Sequence, residues 1–307
     1  MLKPRALAPG DRVAVVAPAS PFDRGEFDRG IEEIRRLGFV PVYDETVFAR
    51  QRYVAGPPQV RAAALRRAWT DDRIAAVVGV RGGYGSAQVL PLLDRDEARR
   101  ACKPFIGYSD LTAILTFLTI ACGAVAFHGP MLERRLSRRA DGYDVDSFTR
   151  ALCRAEPVGE LAPPGLEAIR IGEAAGMLLG GTLTQLLASI GTPFAFDPPS
   201  GYVLFLDEVG ERPYRLDRQV TQLRQTGLLA RASAIVIGEL PNCDEPSGNP
   251  TGRAVMADLF ADFPRPVVIG FPSGHTIGPA MTLPFGVTCR VIAGQRSRLV
   301  IEESAVI

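Results

Sequence analysis

The sequence predicts an α/β fold in which an N-terminal parallel-sheet domain, covered by helices, is followed by a mixed α/β domain. Three observations lead to this prediction. Apolar runs such as 13–17 (VAVVA) and 74–80 (IAAVVGV) are continuous, as in strands that are buried on both faces. The segments between such runs carry apolar residues at helical spacing, for example Phe27, Ile31 and Ile34. The tail contains VTCRVIAG and RLVIEE, which alternate as antiparallel strands do.

The first half of the chain alternates strand and helix signals. Pro18 ends the first apolar run and Gly38 follows the first amphipathic segment, and both are typical stop signals. Strands are predicted at 13–17, 39–43, 74–80 and 104–108, and helices at 24–37, at 58–69, from the glycine loop 81–85 to about Leu93, and from Asp110 to Cys122. The second half continues with an apolar segment at 174–181, a helix through Ile190, strands at 202–206 and 234–238, and helices at 214–226 and near 252–262.

The alternation is lost over residues 134–172, which are rich in Arg, Asp, Pro and Gly. Such a composition is typical of a boundary between domains. We therefore predict an N-terminal domain over 1–154, a linker over 155–172 and a C-terminal domain over 173–307. The arginine-rich run in this region, RRLSRRADGYD, is interpreted as a solvated surface rather than a binding arm.

Composition excludes several classes of function. The chain has 35 basic and 34 acidic side chains, a balance that gives no electrostatic reason to expect nucleic acid or an anionic membrane as a partner. The five cysteines are widely spaced and form no CxxC or Cys/His pattern, so we predict no metal and no other cofactor. The N-terminus lacks the apolar run of a signal peptide, and no stretch of about 18 apolar residues exists. These features are typical of a cytoplasmic protein.

The segment PFIGYSDLTAIL places Ser109 between an apolar strand and a helix that begins at Asp110. A serine at a sharp strand-to-helix turn projects its hydroxyl clear of the backbone, and the first amides of the helix can receive a developing oxyanion. The same pattern also fits a simple helix N-cap, and the segment lacks the GxSxG motif of the α/β-hydrolases. From these residues alone, both interpretations stay open.

A serine nucleophile needs a base that titrates near neutral pH, and the chain has only two histidines, His128 and His275. Both follow short apolar strands, and His275 lies in the loop GFPSGHTIG. A carboxylate that orients the imidazole is the third requirement. Asp207 and Glu208, which directly follow the strand YVLFL, are the candidates for that role. The loop RGGYG at 81–85 supplies glycine amides that could cradle a phosphate or line an oxyanion hole.

Taken together, these segments resemble the LD-carboxypeptidase family of serine peptidases, which includes the muramoyltetrapeptide carboxypeptidases and the microcin C immunity peptidases. The resemblance covers nearly the whole chain, from VAVVAPASP, VRGGYG, IGYSDLTAI and FHGPM to GGTLTQLLASIGTPF, FLDEVGERPYRLDR and GHTIGPAMTLPFG. Several such blocks in one order are far more specific than any one of them. The resemblance implies an N-terminal domain with the serine, a C-terminal domain with the acid and the histidine, and an active site between the two.

By motif position, the resemblance makes Ser109 the nucleophile and His275 the general base. The backbone amides of Gly83 and Asp110 match the oxyanion-hole positions of the family. The implied substrate is a murein tetrapeptide, from which terminal D-Ala is released during cell-wall recycling. The implied assembly is a homodimer.

The acid is where the sequence departs from the family. The family acid is a Glu, usually the first of a Glu-Asp pair that closes this strand, whereas here Asp207 precedes Glu208. Alignment without gaps to the following VGERPYRLDR puts Asp207 in the catalytic position. Neighbouring side chains of a strand point to opposite faces, so the two acids are not interchangeable. We therefore favour Asp207, with a local bulge that turns Glu208 inward as the alternative.

Three further residues can be interpreted. Arg81, beside the glycine loop, is a candidate cation for the substrate's free carboxylate, with a structural role as the alternative. His128 falls in a block that family members need not fill with histidine, so we assign it a structural role. Trp69 is the only tryptophan and is expected to pack in the core. A base-stacking aromatic would instead favour an immunity-type peptidase that acts on aminoacyl-nucleotide conjugates. That activity and a catalytically silent peptide-binding module are the alternative functions.

Overall fold

A computed structural model describes all of residues 1–307. The strands are β1 (Arg12–Val16), β2 (Val40–Val42), β3 (Ile74–Gly79), β4 (Phe105–Gly107), β5 (Ala126–His128), β6 (Pro157–Leu161), β7 (Glu167–Arg170), β8 (Gly172–Thr182), β9 (Tyr202–Asp207), β10 (Ala232–Gly238), β11 (Val267–Phe271), β12 (Leu283–Phe285), β13 (Thr288–Ala293) and β14 (Arg298–Ser304). The α-helices are α1 (Arg24–Arg36), α2 (Pro58–Thr70), α3 (Arg95–Ala101), α4 (Thr112–Thr116), α5 (Val145–Cys153), α6 (Leu183–Ser189), α7 (Pro213–Gln225), α8 (Leu228–Arg231) and α9 (Gly252–Phe260). None of these helices combines the length and the apolar character that a membrane span requires.

The first sheet has six strands in the order β12-β5-β4-β3-β1-β2. The strands β1 to β5 run parallel to one another, and β12 joins from the C-terminal part of the chain, antiparallel to β5. Nearly every residue of β1 and β3 is buried, as expected for strands that are covered on both faces. The predicted α/β fold with a parallel N-terminal sheet is therefore confirmed, with one antiparallel strand added at the edge.

The second sheet has eight strands in the order β6-β14-β13-β8-β9-β10-β11-β7. The strands β8 to β11 run parallel, whereas β13, β14, β6 and β7 pair antiparallel, so the sheet is mixed. The tail segments VTCRVIAG and RLVIEE form β13 and β14 and pair antiparallel, as their alternation predicts. Both β6 and β7 lie within residues 155–172, which we predicted to be a linker. This Gly- and Pro-containing segment thus contributes the two edge strands of the sheet, which the sequence analysis did not predict.

Two predicted helices differ in the structure. The segment after the glycine loop forms two 3-10 turns, Ser86–Gln88 and Leu90–Leu92, because Pro91 lacks the N–H that a continuous helix needs. The helix predicted after the candidate serine begins as a 3-10 turn at Ser109–Leu111, continues as α4 and ends in a π-helical turn at Phe117–Ala121.

Strand β9 separates two apolar cores. Val203 and Phe205 pack in the larger core, together with residues of the first sheet such as Phe127. Leu204 and Leu206 pack in the smaller core, among side chains of α6, α7 and α9. Successive residues of β9 thus face opposite sides of the second sheet, and this alternation sets the directions of the acidic residues at its end.

Candidate active site

Ser109 lies at the turn between β4 and α4. Its backbone has a φ of +62°, a left-handed conformation that is uncommon for any residue but glycine. Such strain typically costs about 1–3 kcal/mol and clusters at functional sites. The turn is tight, since a Cβ added at Gly107 would lie 2.7 Å from Cδ1 of Leu111. The alternative that Ser109 is only a helix N-cap does not hold, because Tyr108 occupies that position and no side chain caps the turn.

Three strand ends bring Ser109, Asp207 and His275 together. Asp207 is the last residue of β9, and His275 lies in the loop after β11, 166 residues from the serine. The Ser109 Oγ is 3.1 Å from the His275 Nε2, and the Asp207 Oδ2 is 2.7 Å from the His275 Nδ1. This chain of two hydrogen bonds has the arrangement of hydroxyl, imidazole and carboxylate that acyl transfer by serine requires.

The direction of these hydrogen bonds follows from the carboxylate. A carboxylate only accepts hydrogen bonds, so the proton of a neutral His275 resides on Nδ1, and the Nε2 lone pair faces the hydroxyl. Burial lowers the pKa of His275, but the charge of Asp207 and its hydrogen bond outweigh burial, so the pKa lies above its ordinary value. Above that raised pKa the imidazole can act as a general base toward Ser109.

Asp207 is fully buried, and both of its oxygens are engaged. Besides the imidazole bond, Oδ1 accepts from the backbone N–H of His275 at 3.1 Å, and Oδ2 accepts from the Thr182 hydroxyl at 3.3 Å. The residue before the histidine has to be small, since a Cβ added at Gly274 would lie 2.6 Å from Oδ2 of Asp207. By the alternation along β9, Asp207 shares the face of Phe205, which packs toward the first sheet.

Glu208 is also buried, but its carboxylate points toward α6. Oε2 accepts from the N–H of Thr184 at 2.9 Å and from its hydroxyl at 2.6 Å, and Oε1 accepts from the N–H of Val209 at 3.0 Å. Burial raises the pKa of Glu208, although these hydrogen bonds oppose the effect. The bulge that would turn Glu208 toward the imidazole is absent, and Asp207 holds that place.

The glycine loop lies directly against the serine. A Cβ added at Gly82 would be 2.7 Å from Cβ of Ser109, 2.9 Å from its Oγ and 3.3 Å from the amide nitrogen of Asp110. The next residue, Gly83, has a φ of +94°, and its N–H donates no hydrogen bond within the protein. The N–H of Asp110 belongs to the first turn of a helix, where amides lack an intrahelical partner. Both amides are therefore free to donate to a ligand beside the hydroxyl.

Two buried side chains fix the glycine loop, and sequence reasoning identified neither in this role. The Oδ2 of Asp110 accepts from the N–H of Ser86 at 2.7 Å. The guanidinium of Arg61, on α2, donates to the carbonyls of Gly85 and Gly56 at 2.7 and 2.9 Å. These contacts reach from α2 and from the Asp110 turn to the loop, and no local sequence pattern reveals them.

Other residues that the sequence singled out lie outside this hydrogen-bonded chain. The Nε of Arg81 pairs with Oε2 of Glu133 at 3.0 Å. His128 is fully buried, with its Nδ1 2.9 Å from the Ser273 hydroxyl, and burial lowers its pKa to about 4. Trp69 is 2% exposed, so it packs in the core as expected and cannot stack on a bound base.

An exposed aromatic pair borders the glycine loop. The side chains of Tyr53 and Tyr84 meet edge-to-face with ring centroids 5.4 Å apart, and the two residues are 58% and 49% exposed. The Ser20 hydroxyl joins them, because it accepts from the N–H of Tyr84 at 3.0 Å and donates to the carbonyl of Tyr53 at 2.9 Å. A cavity of about 290 Å³ lies beside the pair and is lined by Gln51, Arg52, Tyr53, Val54, Pro58 and Gln88. Tyr84 belongs to the RGGYG motif, but nothing in the sequence marks Tyr53.

Comparison with known proteins finds a family match in each half of the chain. Residues 13–129 match the family model of the LD-carboxypeptidase N-terminal domain, and residues 175–291 match that of the LD-carboxypeptidase C-terminal domain. The chain belongs to the LD-carboxypeptidase family. Ser109 lies in the first matched region, and Asp207 and His275 lie in the second.

Three similar proteins illustrate this family. The murein tetrapeptide carboxypeptidase of Pseudomonas aeruginosa is 30% identical over 94% of this chain and 94% of its own. The microcin C7 self-immunity protein MccF of Escherichia coli is 26% identical over 92% of this chain and 90% of its own. The crystal structure of muramoyltetrapeptide carboxypeptidase from Oxalobacter formigenes has a TM-score of 0.83 at 26% identity, covering 95% of this chain and 99% of that one.

Proposed function

We propose that this protein is a serine-type LD-carboxypeptidase that releases the terminal D-Ala of a murein tetrapeptide. The observation that carries the proposal is the pair of hydrogen bonds that links Ser109 through His275 to Asp207. Membership of the family supports a peptidase. The names of the relatives from Pseudomonas aeruginosa and Oxalobacter formigenes support a murein tetrapeptide as the substrate.

In the proposed reaction, His275 takes the hydroxyl proton of Ser109 while Oγ attacks the scissile carbonyl. The amides of Gly83 and Asp110 hold the oxyanion, and loss of one such donor typically costs about 100–1000-fold in rate. The carboxylate of Asp207 stabilises the imidazolium that forms. His275 then gives its proton to the amine of the departing D-Ala. Finally, His275 takes a proton from a water molecule that attacks the acyl carbonyl. The ester bond to Ser109 then breaks, His275 returns the proton to Oγ, and the peptide is released.

The setting and the substrate contacts are part of the same proposal. We place the reaction in the cytoplasm, in cell-wall recycling, and we expect a homodimer, as the family resemblance implies. Arg81 remains the candidate partner of the substrate's free carboxylate. Its side chain is 38% exposed, its Nε pairs with Glu133 and its Nη1 donates to the carbonyl of Pro21 at 2.9 Å. The Nη2 group has no hydrogen bond within the protein and is the donor left for a second carboxylate.

Release of D-Ala from purified murein tetrapeptide tests the proposal. The wild-type protein should release D-Ala, detected by mass spectrometry, and Ser109→Ala should reduce the release to background. Ser200→Ala changes an exposed serine outside the site and should keep the wild-type rate. If the folded wild-type protein releases nothing, the substrate assignment is refuted. Release that survives Ser109→Ala would refute the assignment of the nucleophile.

An immunity-type peptidase that acts on aminoacyl-nucleotide conjugates is the second candidate. The 26% identity to the microcin C7 self-immunity protein, over 92% of this chain, favours it. Trp69 gives it no support, because that side chain is buried. Hydrolysis of such a conjugate by the wild type but not by Ser109→Ala, without D-Ala release, would select this function. Binding of either substrate without turnover would select a catalytically silent module.

A further inference from the structure

Arg135 is a residue of the site that the proposed mechanism leaves unexplained. It follows β5 and lies in the arginine-rich run that we interpreted as a solvated surface, yet it is only 8% exposed. That interpretation is wrong for this residue, although Arg134 and Arg138 are exposed. The acceptors around its guanidinium are all neutral oxygens. A buried cation without a carboxylate partner is costly, so its hydrogen bonds have to compensate for lost hydration.

The guanidinium of Arg135 grips the loop that carries the imidazole. Its Nη2 donates to the carbonyls of Gly274 and Thr276 at 2.7 and 2.9 Å. Its Nη1 donates to the carbonyls of Gly278 and Gly142 at 3.0 and 3.2 Å. Three of these four acceptors lie within three residues of the histidine, and two are its direct neighbours in the chain. The planar fork of an arginine holds such a set in one fixed geometry.

The fifth N–H of Arg135 connects the same guanidinium to the serine side of the site. Its Nε donates to the Tyr108 hydroxyl at 3.4 Å, and its guanidinium carbon lies 5.8 Å from the centre of the Tyr108 ring. That ring meets the imidazole of His275 edge-to-face, with centroids 5.1 Å apart. Because Tyr108 immediately precedes Ser109, Arg135 contacts both the loop of the base and the turn of the hydroxyl. All five donors of the guanidinium are thereby satisfied.

The opposite side of the His275 loop is held by Glu239, which follows β10. Its Oε2 accepts from the N–H of Ile277 at 2.9 Å and also from the Thr276 hydroxyl. The tip of the loop is open, since Ile277 is 87% exposed. The carbonyl groups of the loop therefore receive their hydrogen bonds from Arg135. Glu239 accepts hydrogen bonds and so binds only N–H and O–H groups of the loop.

We infer that Arg135 is a positioning residue that fixes the His275 loop at the distance from Ser109 that proton transfer needs. This inference rests on the proposed function, because it concerns the same reaction. A misplacement of about 1 Å typically costs about 100-fold in rate. Arg135→Met keeps an unbranched apolar stem and removes all five hydrogen bonds. We therefore expect kcat for D-Ala release to fall about 100-fold, with KM little changed.

Two further variants make this kinetic test specific. Arg138→Met removes an exposed arginine three residues along the chain and should keep the wild-type kcat. Arg135→Lys keeps the charge but offers three donors instead of a planar fork, so its kcat should lie between those of wild type and Arg135→Met. If Arg135→Met fails to fold, the lysine variant still tests the inference. A kcat in Arg135→Lys and Arg135→Met equal to that of Arg138→Met would overturn it.

A second readout does not depend on any substrate. The chain has only two histidines, so His128→Phe assigns the imidazole NMR signals of His275. Arg135→Met should shift these signals and raise the pKa of His275, because the charge of Arg135 lowers that pKa in the wild type. The variant leaves unchanged the other polar and charged residues that face this imidazole or hold its loop, namely Ser109, Tyr108, Asp207, Glu208, Glu239 and His128.

The two readouts separate the inference from the proposed function. If the wild type releases no D-Ala, the proposed function fails, and NMR still tests the role of Arg135. Because Arg135→Lys keeps the charge, a shift of the His275 signals in that variant reports a moved loop rather than a lost charge. Signals of His275 that are identical in Arg135→Met and Arg138→Met would refute the positioning role. Shifted signals together with a loss of kcat would support it.

Discussion

Replacing Asp207 by Asn tests the identity of the acid. Asn keeps the size of the side chain but turns one acceptor oxygen into an NH2 donor. In the structure both oxygens accept from His275, one from its backbone N–H at 3.1 Å and the other from Nδ1 at 2.7 Å. If the Asn oxygen accepts from the backbone N–H of His275, its NH2 group faces Nδ1. The proton of the imidazole then has to move from Nδ1 to Nε2. The imidazole then faces Ser109 with a proton and can no longer accept one.

Loss of the correct tautomer typically lowers kcat about 10⁴-fold, which equals about 5 kcal/mol of transition-state stabilisation. Glu208→Gln is the matched control on the same strand end. The oxygens of Glu208 accept from Thr184 and Val209 and from neither nitrogen of His275. We therefore expect Glu208→Gln to keep a kcat close to that of the wild type.

The assay is D-Ala release as a function of pH, with circular dichroism as the control for folding. In the wild type, kcat/KM should fall as the pH drops through the raised pKa of His275, because only the neutral imidazole accepts a proton. In Asp207→Asn, the residual activity should show this fall at lower pH. Burial, which lowers the pKa of His275, is then no longer outweighed by the charge of Asp207. A 10⁴-fold loss in Glu208→Gln, with Asp207→Asn near wild type, would refute the reasoning.

Three further variants test other parts of the site. Gly82→Ala should lower kcat about 100-fold, because the added methyl group would lie 2.9 Å from Oγ of Ser109, whereas Gly294→Ala adds a methyl group in ordinary contact and should keep the wild-type rate. His128 has its pKa lowered by burial from 6.5 to about 4, so the unfolded chain binds this proton first as the pH falls. The free energy of unfolding should therefore drop by about 3 kcal/mol between these pH values. Urea titrations at a series of pH values should show that this drop in the free energy of unfolding is absent in His128→Phe. The same dependence on pH in the wild type and in His128→Phe would contradict the prediction. Tyr84→Ala should raise KM about 3- to 10-fold with kcat retained, if its exposed ring stacks against the substrate; an unchanged KM would contradict that contact.

The fold class was predictable because the central strands can be identified from their own residues alone. Strands β3 and β9 are buried almost throughout, and a continuous apolar run is what such burial requires. The edge strands β6 and β7 were missed because they have the opposite character. PVGEL and EAIR are short, contain few buried residues and owe their extended form to partners much later in the chain. A segment of that kind is indistinguishable from a linker until those partners are known.

The two acids show where a correct local rule is insufficient. The period of two along β9 predicts that Asp207 and Glu208 point to opposite faces. Both faces of β9 are apolar and buried, so the pattern itself does not say which face meets the serine. Packing answers this, since Phe205 faces the core shared with the first sheet and Leu206 faces the core around α7. The motif alignment favoured Asp207 for a different reason, and the observed hydrogen bonds agree with it.

The burial of Arg135 is harder to predict from the sequence, because this residue lies in a segment with several other arginines. Arg134, Arg135 and Arg138 are the same residue type in the same segment, and of these three only Arg135 is buried. What distinguishes it is a set of carbonyls 139 to 143 residues away, on a loop whose own sequence is typical of any turn. Backbone carbonyls are present at every residue, so a side chain that binds them leaves no complementary residue type elsewhere in the sequence. A carboxylate partner would have left such a signal. A side chain that holds a loop through backbone carbonyls therefore leaves no motif in the sequence, unlike the serine, histidine and acid of the proposed triad.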